Sequence, residues 1–258
     1  MRRGLWDREL VALMLLMAMM PMTLAWLWFG GAGAFWRLVF TLFVSGGWHI
    51  IFMLARAQQP SFAGALTGIA VAMLAPHDLS LFQLVLGISF GSVMAELVFG
   101  GWGRNVLNPA TVTLAFLGFG FPAAHWPDFV LPVSWAALPA LAMGVIFGVM
   151  SPRLILGALS VMALAYIAGA PVAAALPAAA IVLALLVSDP VASASTRVGG
   201  WLNGALYAGL IVLFATGWHG AAPTQIAVAA ALLASLAAPL LDETAIALWA
   251  ARRRKRHG

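Results

Sequence analysis

The stretch Gly100-Gly101-Trp102-Gly103-Arg104-Asn105-Val106-Leu107-Asn108-Pro109-Ala110 interrupts two apolar runs, residues 80–99 and 107–122. Glycines, a proline, an arginine and two asparagines crowd into these few positions. Polar groups and helix breakers are costly in hydrocarbon, so where they cluster they line a loop or a site and do not face lipid. A second such stretch runs from Ser188-Asp189-Pro190 to Ser195-Thr196-Arg197. Working outward from these two interruptions, the rest of the chain divides into ten apolar segments. They lie at roughly 10–29, 34–55, 62–76, 80–99, 107–122, 134–151, 154–168, 171–188, 200–217 and 225–241.

Composition supports the division. The chain has 258 residues, of which 64% are hydrophobic and 8% charged, against about 25% charged in a soluble domain. No single core buries so much apolar surface. The expected fold is an all-α polytopic membrane protein of about ten transmembrane helices, forming one membrane domain over residues 1–258 and lying in the lipid bilayer. The chain has no cysteine, which excludes disulfides, thiolate metal sites and cysteine ligands for iron–sulfur clusters.

The net charge of +5 does not point to nucleic acid. The basic residues sit in short tags between apolar segments and in the tail Arg252-Arg253-Arg254-Lys255-Arg256. Arg2, Arg3 and Arg8 precede the first segment. Arg56, Arg104, Arg153 and Arg197 follow the second, fourth, sixth and eighth, and the tail follows the tenth. With ten spans every tag falls on one side, which the positive-inside rule makes the cytoplasm, with both termini there. The N-terminal run is expected to be a retained first helix, because it lacks a clean cleavage site and ends in an interfacial belt of Trp26 and Trp28. Arg37 breaks the pattern and is expected to snorkel to the outer interface beside Trp36.

The third and eighth segments are short and bounded or broken by proline. Residues Gly68 to Asp78 align with Ala180 to Pro190, five segments later. An odd offset makes the two halves inverted: about 1–122 and 134–243, with a basic tail at 244–258. Short or broken segments at matching places in inverted halves point to a central site. Chance similarity of Ala- and Leu-rich helices would give the same alignment.

In the first motif, the glycines permit a tight turn and close approach of the backbone. Asn108 before Pro109 suits the start of a helix as its cap. Thr111, Thr113 and Phe116 follow. Asn105 and Asn108 offer the edge, and Phe116 the face, of a pocket for a planar heterocycle. A capped helix beside a glycine loop is the alternative. In the second motif, Asp189 ends an apolar segment and is either functional or a cap or partner of Arg197. Glu96, among apolar neighbours, needs a partner, for which Arg104 is available, or handles protons or cations. His49, His77, His125 and His219 form no matched pairs, so haem is not expected. Most Trp and Tyr residues fall near segment ends, as interfacial anchors.

The first motif closely resembles the Gly-Gly-x-Gly-x-Asn-x-Phe-Asn-Pro-Ala signature of the RnfD/NqrB family. These are membrane subunits of the Rnf and Na+-translocating NADH:quinone oxidoreductase complexes. Ser188-Asp189-Pro190-Val191 through Thr196-Arg197 resembles that family's second conserved stretch. The resemblance covers roughly residues 60–243. It implies two inverted five-helix halves in a bacterial-type inner membrane, with other membrane and redox subunits as partners and quinone a further candidate.

It also implies a non-covalent flavin, riboflavin or FMN, held near Asn105, Asn108 and Phe116. Gly101, Gly103 and Thr111 would sit in the same motif, with Asp189 and Thr196 shaping the cavity. Family members attach FMN covalently to a threonine between the fifth and sixth helices. Here residues Ala123 to Val133 contain neither Ser nor Thr, so no covalent FMN is expected on this chain. The function implied is electron relay within a membrane oxidoreductase complex, by a subunit not catalytic alone. A small-solute or ion transporter with the same inverted fold is one alternative, and a redox-silent scaffold is the other. Electron donor and acceptor, and the ion moved, stay open.

Overall fold

The computed structural model describes residues 7–56 and 61–257. Arg2, Arg3 and the extreme N-terminus, part of the topology argument, lie outside them. Among the described residues all regular structure is helical, with α-helices at α1 Arg8–Arg56, α2 Ala63–Leu74, α3 Leu81–Ala95, α4 Pro109–Gly120, α5 Leu131–Trp135, α6 Ala137–Ile146, α7 Pro152–Ile167, α8 Leu176–Val182, α9 Arg197–Gly217 and α10 Pro223–His257. Among the described residues, four stretches are long and apolar enough to cross a membrane: Arg8–Arg56, Leu81–Phe99, Arg197–Gly217 and Pro223–Arg253. The protein is a multi-pass membrane protein. Its other apolar helices are shorter than a full span.

Helix α1 is two limbs. Gly31 breaks it with φ 59° and ψ −148°, a conformation strongly disfavoured for residues with a Cβ. A straight helix of 49 residues would hold its ends about 72 Å apart. Instead Glu9 accepts a hydrogen bond from the Phe62 amide at 3.0 Å, so the chain reverses at Gly31. The break expected between the first two segments falls there.

The second limb packs on α2 through small and hydroxyl residues. Thr41 donates to the Gly68 carbonyl and Ser45 to the Gly64 carbonyl, each at 2.9 Å. Hydroxyl–backbone bonds between helices and a Gly-x-x-x-Gly stripe are the usual means of association where lipid removes the hydrophobic drive. Arg37 stands half-buried at the opposite end from the other arginines, where Nη2 donates to the Ala75 and Pro76 carbonyls at 2.5 and 2.7 Å. Those carbonyls end α2, where Pro76 cannot continue the helix, and a guanidinium satisfies them.

Contacts divide the loops between two ends. At one end Arg56 donates to the Leu97 carbonyl, Asn108 bonds Asp189, Ser151 lies against Gly200, and Ser195 bonds Asp242. This is the end of Arg8, Arg56, Arg104, Arg153 and Arg197. At the other end His77 N–H donates to the His125 carbonyl at 2.9 Å and Thr224 donates to the Pro127 carbonyl at 2.7 Å. There His125 also bonds Asp78 and holds its carboxyl below the usual carboxylate range.

The two interrupted helices are the most enclosed. Almost every residue of α2 is buried. So is the run of α8 that continues as a π turn through Leu183–Val187. Helix α8 starts at Leu176 with Pro177 in its first turn, where proline is tolerated, later than the segment expected from 171. Helix α3 packs on α4 as α9 packs on α10, and α2 touches α4 as α8 touches α10. The correspondence is incomplete: the second limb of α1 packs extensively on α2, whereas the largest contact of α7 is with α9. At that contact Gly157 and Gly204 let the backbones meet. Several aromatic residues depart from an anchoring role. Trp102, Trp126 and Tyr207 are buried, and the Tyr207 hydroxyl donates to the Ala179 carbonyl at 2.9 Å.

Candidate functional site

Helix α3 ends at Ala95, and a 3-10 turn, Leu97–Phe99, leads into the glycine loop. Gly100, Gly101 and Gly103 all have positive φ, at 109°, 90° and 90°. The sequence needs glycine here because L side chains rarely adopt such angles. The loop folds back on Glu96, whose carbonyl accepts from the Phe99 and Gly101 amides. Asn105 is buried and turned onto its own loop. Its Oδ1 accepts from the Gly103 amide and its Nδ2 donates to the Leu107 carbonyl, both at 3.0 Å.

Asn108 is the cap of α4, as expected. Its Oδ1 accepts from the amides of Ala110 at 2.9 Å and Thr111 at 3.2 Å. Its Nδ2 donates to Asp189 Oδ2 at 2.8 Å, with both side chains buried. Asp189 Oδ1 in turn accepts from the Val191 amide at 3.0 Å. The two motifs, 81 residues apart in sequence, therefore meet in one hydrogen bond. Asp189 is not paired with Arg197, and it does not serve only its own half. Thr111 is buried directly below the cap.

Thr196 stands elsewhere. It caps α9, accepting from the Gly199 amide at 3.0 Å and donating to Asp242 Oδ1 at 2.6 Å. Asp242 also takes the amides of Ser195 and Thr196 and the Ser195 hydroxyl. It thus clamps α10 to the second motif. Nothing local in the sequence marks Asp242 for this, since its partners lie 46 and 47 residues away.

The space at Asn108 and Asp189 is a cavity of about 10 Å³. Leu15, Met19, Thr67, Trp102 and Leu185 help to enclose it. It holds no more than a single water. Phe116 lies outside it. Its ring stacks on Phe90, with centroids 4.7 Å apart, and lines a separate groove of about 510 Å³, open at the surface, with Leu107, Val112, Phe119 and Leu232. Drug-sized ligands occupy pockets of about 300–1,000 Å³. The structure therefore does not bring Asn108 and Phe116 into one cavity. Leu107, whose carbonyl Asn105 holds, carries the motif loop to the edge of the aromatic pocket. Gly101 and Gly103 shape that loop without lining either space.

Glu96 is completely buried, and its partner is His49, not Arg104: His49 Nε2 lies 2.9 Å from Glu96 Oε1. His49 drew attention in the sequence only as a haem ligand. The glycine at position 64 of α2 makes room for its ring. As with Asp242, 47 residues separate the pair, and no local pattern joins them.

The sequence profile of the NQR2, RnfD, RnfE family matches residues 7–144, more than half of the chain. The match takes in the α1 hairpin, the glycine loop and Asn108, and stops within α6. The NqrB component of the Na(+)-translocating NADH-quinone reductase of Klebsiella pneumoniae subsp. pneumoniae is 43% identical over 101 residues, 39% of this chain and 24% of that protein. The corresponding Na(+)-translocating NADH-quinone reductase component of Pseudomonas paraeruginosa is 38% identical over 113 residues, 43% of this chain and 27% of that protein. The aligned stretch thus spans about a quarter of the length of these relatives. With its first motif inside the matched region and built as described, the chain belongs to the NQR2, RnfD, RnfE family.

Proposed function

We propose that this chain is a membrane subunit of an electron-transfer complex that binds a non-covalent flavin, riboflavin or FMN, and relays electrons with partner subunits. The observation that carries the reading is the aromatic groove at Phe90 and Phe116, bordered by Leu107 of the motif loop; the Asn108–Asp189 bond fixes the start of the helix that carries Phe116. Family membership and the names of the relatives, subunits of a quinone reductase, support it. Two inverted five-helix halves, ten crossings and both termini on the cytoplasmic side of an inner membrane belong to the same reading. The gathering of the arginine tags at one end supports them.

The flavin fits one of the two spaces. The cavity at Asn108 is far too small for a tricyclic ring, and Asn108 spends three of its hydrogen-bonding positions on the cap and Asp189. The Phe90–Phe116 pocket has the room and an aromatic wall. In this reading the flavin lies on Phe116, with the loop held by Asn105 at its edge. Asn108 and Asp189 fix the start of α4 that carries Phe116. When bound, the flavin supplies a redox centre that accepts and passes on electrons. The chain's own part is to hold the ring. Partner subunits would carry NADH oxidation, and quinone is a candidate acceptor.

The visible absorption spectrum of the purified protein tests the reading. It should show flavin bands, and denaturation should release all of the flavin, leaving no fluorescent band at 27.1 kDa in a gel. A colourless, monodisperse protein with no flavin in its parent complex would overturn it.

A further inference from the structure

The pair His49–Glu96 has a property that follows from the donors and acceptors around it. His49 Nδ1 lies 2.9 Å from the Ser45 carbonyl oxygen. A carbonyl only accepts, so Nδ1 carries a hydrogen. His49 Nε2 lies 2.9 Å from Glu96 Oε1. Without a proton between them, that contact would set the imidazole lone pair against a carboxylate oxygen, two acceptors face to face. The contact therefore holds one proton. Whether it sits on nitrogen or oxygen, the pair is neutral with it and carries one negative charge without it. Glu96 Oε2 is buried and has no hydrogen-bond partner.

Charged groups surround the pair. Glu9, at the start of the first limb of α1, acts on His49. Asp189 follows the π turn that packs against α2. Arg56 is bound one residue along, at the Leu97 carbonyl, and the Arg104 side chain lies over Gly100. Helix α2 places Gly64 against the ring and carries no ionisable side chain. The Glu96 carbonyl anchors the glycine loop, so the pair sits directly beneath the loop at the arginine-bearing end.

We propose that His49 and Glu96 form a one-proton binding site, loading and releasing a proton at the end of the molecule that carries the glycine loop. In the loaded state the proton lies between Nε2 and Oε1. On release it leaves the pair, the imidazole stays neutral with its hydrogen on Nδ1, and Glu96 is a carboxylate. The geometry disfavours an alkali cation. Hard cations take several oxygen ligands at once, whereas Oε1 faces the imidazole and the Ser45 carbonyl faces Nδ1. One free oxygen remains. The site does not depend on a bound flavin.

The test is nitrogen NMR of ¹⁵N-histidine-labelled full-length protein in detergent, with His77, His125, His219 and His257 replaced by Gln so that His49 reports alone. The expected result is an Nδ1 protonated throughout, and an Nε2 signal that follows a single-proton transition over the pH range in which the protein stays folded. Exchanging sodium for potassium at fixed pH should leave the signal unmoved. In Glu96→Gln the amide donates to Nε2, and the transition should disappear from this range; in Glu96→Asp it should return. An Nδ1 without its hydrogen, a signal that does not move with pH, or a shift caused by sodium at fixed pH would each overturn the proposal. So would a transition unchanged in a Glu96→Gln protein that elutes as a single species. The wild-type pH and cation series decides even if Glu96→Gln does not fold.

Discussion

At the scale of single residues, Asn108 holds more of the site than its type announces. Its two acceptor bonds cap α4 and its donor bond satisfies a buried carboxylate. Asn108→Ala removes the cap, worth about 1 kcal/mol, and strands Asp189 without that partner, at about 1–3 kcal/mol more. We expect a loss of about 2–4 kcal/mol, measured by thermal unfolding in detergent. Asp189→Asn is coupled to the same bond, so the double substitution should cost less than the sum of the two singles. Additive effects would contradict the shared bond. The sequence carried the Asn108 cap, because Asn before Pro at a helix start is a local pattern. It did not carry the bond to Asp189, the pairing of His49 with Glu96, or the clamp by Asp242. Each joins residues more than forty positions apart, and such contacts have no local signature.

At the scale of elements, close helix contacts are set by glycine. Gly204 of α9 lies against the Leu154 carbonyl of α7, so an added methyl meets backbone that cannot yield. Gly209, on the same helix, has nothing within 4 Å of an added Cβ. Gly204→Ala should destabilise by about 2 kcal/mol or more. Gly209→Ala should be neutral or stabilise by up to about 1 kcal/mol, from helix propensity. Comparing their melting temperatures checks both, and equal effects would contradict the packing. Apolar runs bounded by Gly and Pro made the helices legible, including the break that falls at Gly31. The start of α8 at Leu176 and the π turn before Ser188 were not legible, because hydropathy does not distinguish a buried turn from a buried helix. For the same reason Phe116 appeared to belong with Asn108. They are eight residues apart, about 12 Å along the axis of α4, so a shared face does not bring them into one space.

At the scale of the whole molecule, the loops separate into an arginine-bearing end and an opposite end joined by His77, His125 and Thr224. The chain has no native cysteine, so single cysteines report orientation directly. Phe62→Cys and Asp128→Cys lie in exposed positions at opposite ends. A membrane-impermeant thiol reagent should label position 128 from outside intact cells and position 62 only after the membrane is opened. Labelling of both from the same side would contradict the fold's two ends.

The central claim is that the Phe90–Phe116 pocket of this subunit holds a flavin without a covalent bond. The measurement that tests it most directly is moles of flavin per mole of folded chain, in the wild type and in Phe116→Leu, which keeps apolar volume and removes the ring. Aromatic stacking is worth about 1 kcal/mol beyond buried area, so affinity should fall by about fivefold or more. The account predicts close to one acid-releasable flavin per wild-type chain and clearly less in Phe116→Leu at equal stability. A wild type without flavin, or a Phe116→Leu protein with undiminished affinity for it, would contradict the account.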